Sequence, residues 1–226
     1  RDLHLSLRRQ RQMCIRDSSN IVYANSQAGL VADGTPHYIY WAPIGDQVSF
    51  LASIPDGLGL FVWDGTSGSP AAQISLGAPL YYQWSKDAQA MALHVGSELI
   101  WSSPLSSASS RQSLQTAGNF RVPAVSPDGS ALAYVDRTTE GIALYIAPTS
   151  DLSQTKQVLD LGWSSSLMWS PDGTQIAVAD QSISKTQLFD RLMLVPTDGG
   201  APTSLVSAGS SDCLLYTSDA ADEGLG

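Results

Sequence analysis

Short apolar stretches, each followed by a polar turn and then a segment of alternating character, recur along this chain. The clearest copy starts at Leu167-Met168-Trp169 and runs into Ser170-Pro171-Asp172-Gly173. Residues 175–180 then alternate, with Ile176 and Val178 on one face, which predicts a half-buried strand. Leu192-Met193-Leu194-Val195 predicts a third strand, Asp198-Gly199-Gly200 a second turn, and Ser204-Leu205-Val206 an outer strand. The first turn has a mechanism: proline presets φ, aspartate bonds nearby backbone, and glycine accepts a positive φ. The pattern is a four-stranded antiparallel meander.

Three further copies precede it, at Tyr40-Trp41-Ala42-Pro43-Ile44-Gly45, Gln83-Trp84-Ser85-Lys86-Asp87-Ala88 and Ala124-Val125-Ser126-Pro127-Asp128-Gly129. Their anchors, at 41, 84, 125 and 169, are 43, 41 and 44 residues apart. A period in the low forties with several strands per repeat predicts propeller blades. Second strands fall at 47–52, 90–95 and 130–136, third strands at 58–63, 98–101 and 142–147, and outer strands at 72–76, 112–115 and 157–161. Gly77, Gly118, Gly162 and Gly209 close the units, giving blades at about 35–77, 78–118, 119–162 and 163–209. Small residues such as Ala92, Ala133 and Ala177 suit faces that stack closely. Residues 20–34 read as the tail of a preceding blade. The expected fold is therefore all-β, a β-propeller of about four four-stranded antiparallel blades. The turns at 42–45 and 85–88 depart from the repeat and are expected to be degenerate.

Trp-Ser-Pro-Asp-Gly, an alternating strand, and an apolar strand ending in Asp-Gly-Gly resemble the WD40-like repeat of the TolB family. The same repeat builds the propeller of prolyl-oligopeptidase-type peptidases. The resemblance covers about 38–209 and implies six or more blades, so that four would be part of a larger ring. It further implies a non-enzymatic scaffold for a protein or peptide partner, in the periplasm or otherwise outside the cytoplasm. The alternative is the substrate-gating propeller of a serine peptidase whose catalytic domain lies elsewhere in a longer chain. A third reading is a sensor domain on a membrane anchor or regulator.

The ends have a different origin in this reading. A codon assignment for residues 8–17, reverse-complemented and read out of frame, begins with the last two bases of a codon for Cys213 and then translates to residues 214–222. Both runs resemble translated sequencing-adapter DNA, so residues 1–18 and 213–226 are set aside and 19–212 is taken as the partial propeller. Cys14 and Cys213 both fall in the excluded ends, which leaves no basis for a disulfide. The full chain carries 12 Lys and Arg against 21 Asp and Glu, a net charge of −9, and residues 19–212 carry the same net charge. Such a domain is poorly matched to a nucleic-acid backbone, whose binding needs cations to displace counterions. No apolar run approaches the length of a membrane span.

Candidate chemistry is sparse. Gly65-Thr66-Ser67-Gly68-Ser69 has the wrong spacing for a nucleophile elbow and lacks the strand–turn–helix context. His37 and His94 each stand alone, and His94 in an alternating strand reads as a packed residue. Trp63-Asp64 is not repeated in the other blades and reads as coincidence. Asp128 and Asp172 recur once per blade and read as turn residues rather than metal ligands. No catalytic residue, metal or cofactor is expected. Binding is expected where loops between second and third strands share an end with the inter-blade connections. The candidates there are Phe120, Arg121, Arg137, Glu140, Trp163, Lys185 and Arg191, an aromatic-plus-arginine composition typical of hot spots.

A partial ring leaves blade faces and strand edges without partners, which favours self-association. The isolated chain is expected to be poorly soluble. Size-exclusion chromatography with calorimetry checks this, and a monomer with one sharp transition would count against the partial-ring reading.

Overall fold

Alternating residues and turn punctuation produce strands throughout the computed structural model, which describes residues 15–17, 20–23, 29–65, 69–103, 111–117, 122–162, 165–181 and 189–207. A three-stranded sheet comes first, with β1 (Ile15–Asp17), β2 (Asn20–Tyr23) and β3 (Gly29–Asp33) in that order. Four four-stranded sheets follow. The first contains β4 (Thr35–Trp41), β5 (Val48–Ile54), β6 (Gly57–Trp63) and β7 (Ala72–Leu76). The second contains β8 (Leu80–Trp84), β9 (Met91–Val95), β10 (Glu98–Ser102) and β11 (Arg111–Gln115). The third contains β12 (Ala124–Val125), β13 (Ala131–Arg137), β14 (Ile142–Pro148) and β15 (Lys156–Leu161). The fourth contains β16 (Ser165–Trp169), β17 (Gln175–Asp180), β18 (Arg191–Pro196) and β19 (Thr203–Ser207). Each strand pairs antiparallel with its sequence neighbour, and there is no helix among the described residues. The chain is an all-β, propeller-type fold.

One register recurs in all four blades. Trp41 pairs with Val48, Trp84 with Met91, Val125 with Leu132 and Trp169 with Ile176. The hairpin joining first and second strands thus has one length everywhere, including the two turns whose sequences depart from the repeat. In the second blade Ser85 N–H donates to Ala90 O at 2.8 Å, in the third Ser126 to Ala131 O at 2.9 Å, and in the fourth Ser170 to Gln175 O at 2.9 Å. Ala42 N–H donates to Gln47 O at 3.0 Å in the first.

Apolar faces meet between neighbouring blades. Leu51, Leu60 and Val62 of the first blade form one cluster with Leu80, Tyr82, Trp84, Met91, Leu93 and Ile100 of the second. Ala92 and Leu99 meet Leu132, Tyr134 and Ala147 of the third, and Ala133, Val135 and Leu144 meet Ile176, Val178 and Met193 of the fourth. Each interface also carries a polar bond near the first strand. Trp84 Nε1 donates to Ser49 Oγ at 2.8 Å, Val125 N–H to Gln83 Oε1 at 2.8 Å, and Trp169 Nε1 to Ala124 O at 2.9 Å.

The chain passes between sheets over one recurring place. Gly77, at φ 151°, lies so close to the side chain of Val95 that a Cβ there would stand 2.5 Å from Val95 Cγ1. Gly34, at φ 130°, lies against the end of β5, where a Cβ would come within 3.4 Å of Ala52 Cβ and 2.7 Å of Ser53 O. Ala52 and Val95 occupy the same register position on their second strands. Glycine at 77 is therefore required both by conformation and by space.

Gly77→Ala should cost roughly 2–4 kcal/mol, combining the φ penalty with overpacking. Gly129, at φ 73°, has nothing within 4 Å of a built Cβ, so Gly129→Ala should cost only about 1–2 kcal/mol. Urea unfolding of the two variants compares them. Equal losses would show that Val95 leaves room for the methyl group.

Candidate partner-binding face

The two ends of the blades differ in construction. At one end lie the hairpins between first and second strands, closed by a serine–aspartate clasp. Ser126 Oγ donates to Asp128 Oδ1 at 2.7 Å while accepting from Ala131 N–H at 2.9 Å. Ser130 N–H donates to the same carboxylate at 3.0 Å and its hydroxyl donates at 2.8 Å. The fourth blade repeats this with Ser170, Asp172 and Thr174 at 2.6, 3.0 and 2.9 Å. The expected turn role of Asp128 and Asp172 follows directly from these bonds.

The second blade corrects the expectation of a degenerate turn. Ser85 Oγ donates to Asp87 Oδ1 at 2.6 Å, Gln89 N–H donates to it at 3.1 Å, and Ala90 N–H donates to Ser85 Oγ at 2.9 Å. Ala88 takes the place of glycine at φ 57°. Serine and aspartate define the turn, and alanine tolerates the left-handed conformation at a modest cost. The first blade, with Ala42 and Ile44 at the clasp positions, has the hairpin without these bonds.

Hydroxyl and amide donors aimed at exposed carboxylates favour the ionised form. The Ser126 hydroxyl, then the Ser130 amide and hydroxyl, bring Asp128 down to about 2. The Ser170 hydroxyl, then the Thr174 amide and hydroxyl, bring Asp172 to about 2, and the Ser85 hydroxyl lowers Asp87. An open cleft of about 470 Å³ lies among these turns, lined by Lys86, Asp128, Ile146, Trp169, Asp172 and Thr197 among others. Sequence reading missed this cleft, because three separate blades build it. Its one sequence signal is Lys86, which stands where the third and fourth blades have Pro127 and Pro171.

The opposite end holds the loops between second and third strands together with the inter-blade connections. These loops lengthen along the chain. Residues 55–56 and 96–97 form two-residue turns and residues 138–141 a four-residue loop, while ten residues of sequence separate the paired Asp180 and Arg191. The described candidates, Arg137, Glu140 and Arg191, fall on the third and fourth blades. Arg137 is exposed but ends β13, paired with Ile142, rather than lying in the loop. Glu140 is exposed in the 138–141 loop, where its N–H and that of Gly141 point to Thr138 Oγ1 at 3.3 and 3.1 Å. Arg191 is the first residue of β18 and is half-buried. Its Nε and Nη2 donate to Asp180 Oδ1 and Oδ2 at 2.9 and 2.6 Å, and this pairing raises the arginine's affinity for its proton. Phe120, Arg121, Trp163 and Lys185 lie outside the described residues.

Other expected assignments have plain structural roles. His94 is buried in β9, with Nε2 3.2 Å from Thr116 Oγ1. His37 Nε2 lies 2.7 Å from Ser53 Oγ. Trp63 Nε1 donates to Ser69 O at 3.1 Å, which ties the third strand to the start of the outer-strand segment. Among the described residues no group of three or more His, Cys, Asp or Glu is placed to hold a metal. No helix there is long and apolar enough to cross a membrane.

No family model and no curated protein matches the sequence. Solved structures share its fold. TolB from Acinetobacter baumannii matches with a TM-score of 0.57 and 13% identity, over 83% of this chain and 49% of that one. An oligogalacturonate lyase in complex with manganese matches with a TM-score of 0.62 and 15% identity, over 86% of this chain and 59% of that one. A prolyl endopeptidase matches with a TM-score of 0.53 and 12% identity, over 78% of this chain and 30% of that one. The chain therefore spans about half the length of the TolB chain it matches. At such identities the likeness establishes the propeller-type fold and nothing finer.

The clasps give stability a defined acid limb. Asp128 and Asp172 fall from an ordinary value of 3.8 to about 2 in the folded chain. A depressed folded-state value contributes stability that is complete above the unfolded value and is lost as pH falls through the folded one. The melting temperature should therefore drop between about pH 4 and about pH 2. Asp128→Asn/Asp172→Asn should melt lower at pH 5 and lose less over the acid range. Parallel curves for the two proteins would remove the clasps as the cause.

Proposed function

We propose that this chain is a non-enzymatic propeller scaffold that binds a protein or peptide segment at its loop end, as its TolB-like repeat implies. The supporting observation is the growth of the sequence separation between paired second and third strands, from two residues in the first two blades to four and ten in the last two. Loops on a rigid sheet scaffold are the usual seat of recognition. Arg137, Glu140, Phe120, Arg121, Trp163 and Lys185 supply aromatic and charged groups for contact. With a chain net charge of −9, a basic or neutral peptide is the suitable partner, and a nucleic acid is not. The setting proposed is extracytoplasmic.

The likeness to a prolyl endopeptidase supports a second reading, a propeller that restricts access to a hydrolase domain in a longer chain. Sequencing the source locus across both ends separates the two. Further blades in frame favour the scaffold. A Gly-x-Ser-x-Gly hydrolase in frame favours the peptidase.

A displayed peptide library selected against the chain supplies a ligand for the test. Arg121→Glu/Arg137→Glu/Trp163→Ala should weaken the selected peptide by at least about tenfold in calorimetry, as loss of hot-spot residues does. Unchanged affinity in a normally melting variant would sink the loop-end proposal.

A further inference from the structure

One register position near the end of each second strand faces the incoming connection in all four blades, although its residue changes. Ala52, Val95, Asp136 and Asp180 hold the same register position, four residues past Val48, Met91, Leu132 and Ile176. Each meets the connection arriving from the preceding sheet. Gly34 lies against the Ala52–Ile54 stretch, where a Cβ would stand 2.7 Å from Ser53 O, 2.9 Å from Ile54 Cγ2 and 3.4 Å from Ala52 Cβ, and Gly77 lies against Val95, where a Cβ would stand 2.5 Å from Cγ1. Asp136 accepts the N–H of Ala117 with both oxygens at 2.8 and 2.9 Å. Asp180 accepts the N–H of Gly162 at 3.0 Å.

The first two junctions are therefore seated by close packing and the last two by carboxylates. The two carboxylates are not alike. Asp136 is half-exposed and is completed by its own neighbour, the Arg137 N–H, at 2.7 Å. Asp180 has no exposed surface at all. A carboxylate so buried needs a cation, and Arg191 provides two parallel bonds to it. Asp190 N–H also donates to the Asp180 carbonyl at 3.0 Å, so the start of β18 is tied to the end of β17 twice.

We propose that Asp180 and Arg191 form the seat that fixes the connection at Gly162 against the fourth blade, with Arg191 acting as a positioning residue and not as a partner contact. This rests on the reading of the loop end as the binding face, and it reassigns one of the residues first expected to touch the partner. Arg191 acts through Asp180, and Asp180 acts through the Gly162 amide.

Three proteins test it: the parent chain, Arg191→Leu, and Asp180→Val/Arg191→Leu. The double variant copies the apolar seat that Val95 provides one junction earlier. Arg191→Leu alone strands a buried charge, so its melting temperature should fall sharply. The double variant should recover most of that loss, since apolar replacement of a buried pair is tolerated. Amide exchange at Gly162, followed by NMR, should nevertheless be at least about tenfold faster in the double variant than in the parent. The library-selected peptide should bind the double variant about tenfold more weakly at nearly parental stability.

Parental protection of Gly162 in the double variant would overturn the seat. Released Gly162 with unchanged peptide affinity would overturn the positioning role. Arg191→Leu that keeps its melting temperature but loses the peptide would identify Arg191 as a direct contact and overturn it as well. A parent chain that binds no peptide from the library fails the loop-end reading and the positioning role with it, while Gly162 exchange still decides the seat.

Discussion

A four-stranded blade has two apolar faces and can cover neither alone, so each blade is stable only as a neighbour of another. The rest of the molecule follows from that constraint. Burial excludes water from the interfaces but does not set the angle between sheets. One polar bond near each first strand supplies the direction that burial lacks. An indole does this twice, at Trp84 and Trp169, because its ring packs while its N–H reaches across. The third blade has Val125 as anchor and uses its backbone N–H with Gln83 instead. The anchors differ in exposure: Trp41 in the first blade is 48% exposed, whereas Trp84 is 7% exposed.

The fold was legible because its two periods, two residues along a strand and about 42 along the chain, both survive substitution. The turns were only partly legible. Reading by residue type weights proline and glycine, which the 85–88 turn lacks. The geometry there rests on the Ser85 and Asp87 side chains, and these remain, so the second blade folds like the third and fourth. Conversely the seats at 52, 95, 136 and 180 were invisible. Alanine, valine and two aspartates share no chemistry that a sequence pattern would group. Only the register shows that they occupy one place.

The sequence allowed an expectation of where binding residues would cluster, but not of the roles that the described ones play. The spacing between second and third strands can be counted once the strands are known, and it is longer in the third and fourth blades. Arg191 was expected as a surface arginine next to an irregular loop. Its commitment to Asp180, eleven residues earlier, appears only when β17 and β18 are paired, since the two residues then stand opposite each other. Arg137 shifts for the same reason, because its pairing with Ile142 carries β13 one residue further than alternation suggested. The cleft near Trp169 was illegible because it belongs to three turns, and no single repeat contains it.

The contrast between the two ends bears on where specificity can reside. At the clasp end the groups with recognition chemistry are largely occupied with the turn itself. Ser126 and Ser170 each donate to an aspartate and accept from the backbone, and those aspartates take several donors apiece. Three blades repeat one solution there, so that end offers nearly the same surface on each. A ligand exploiting Asp128 or Asp172 in full would have to compete with bonds that hold the hairpins closed. At the loop end the blades diverge in loop length, in exposed charge and in how the junctions are seated. Divergence over a constant frame lets one fold host different functions, and in this chain the described differences separate the first two blades from the last two.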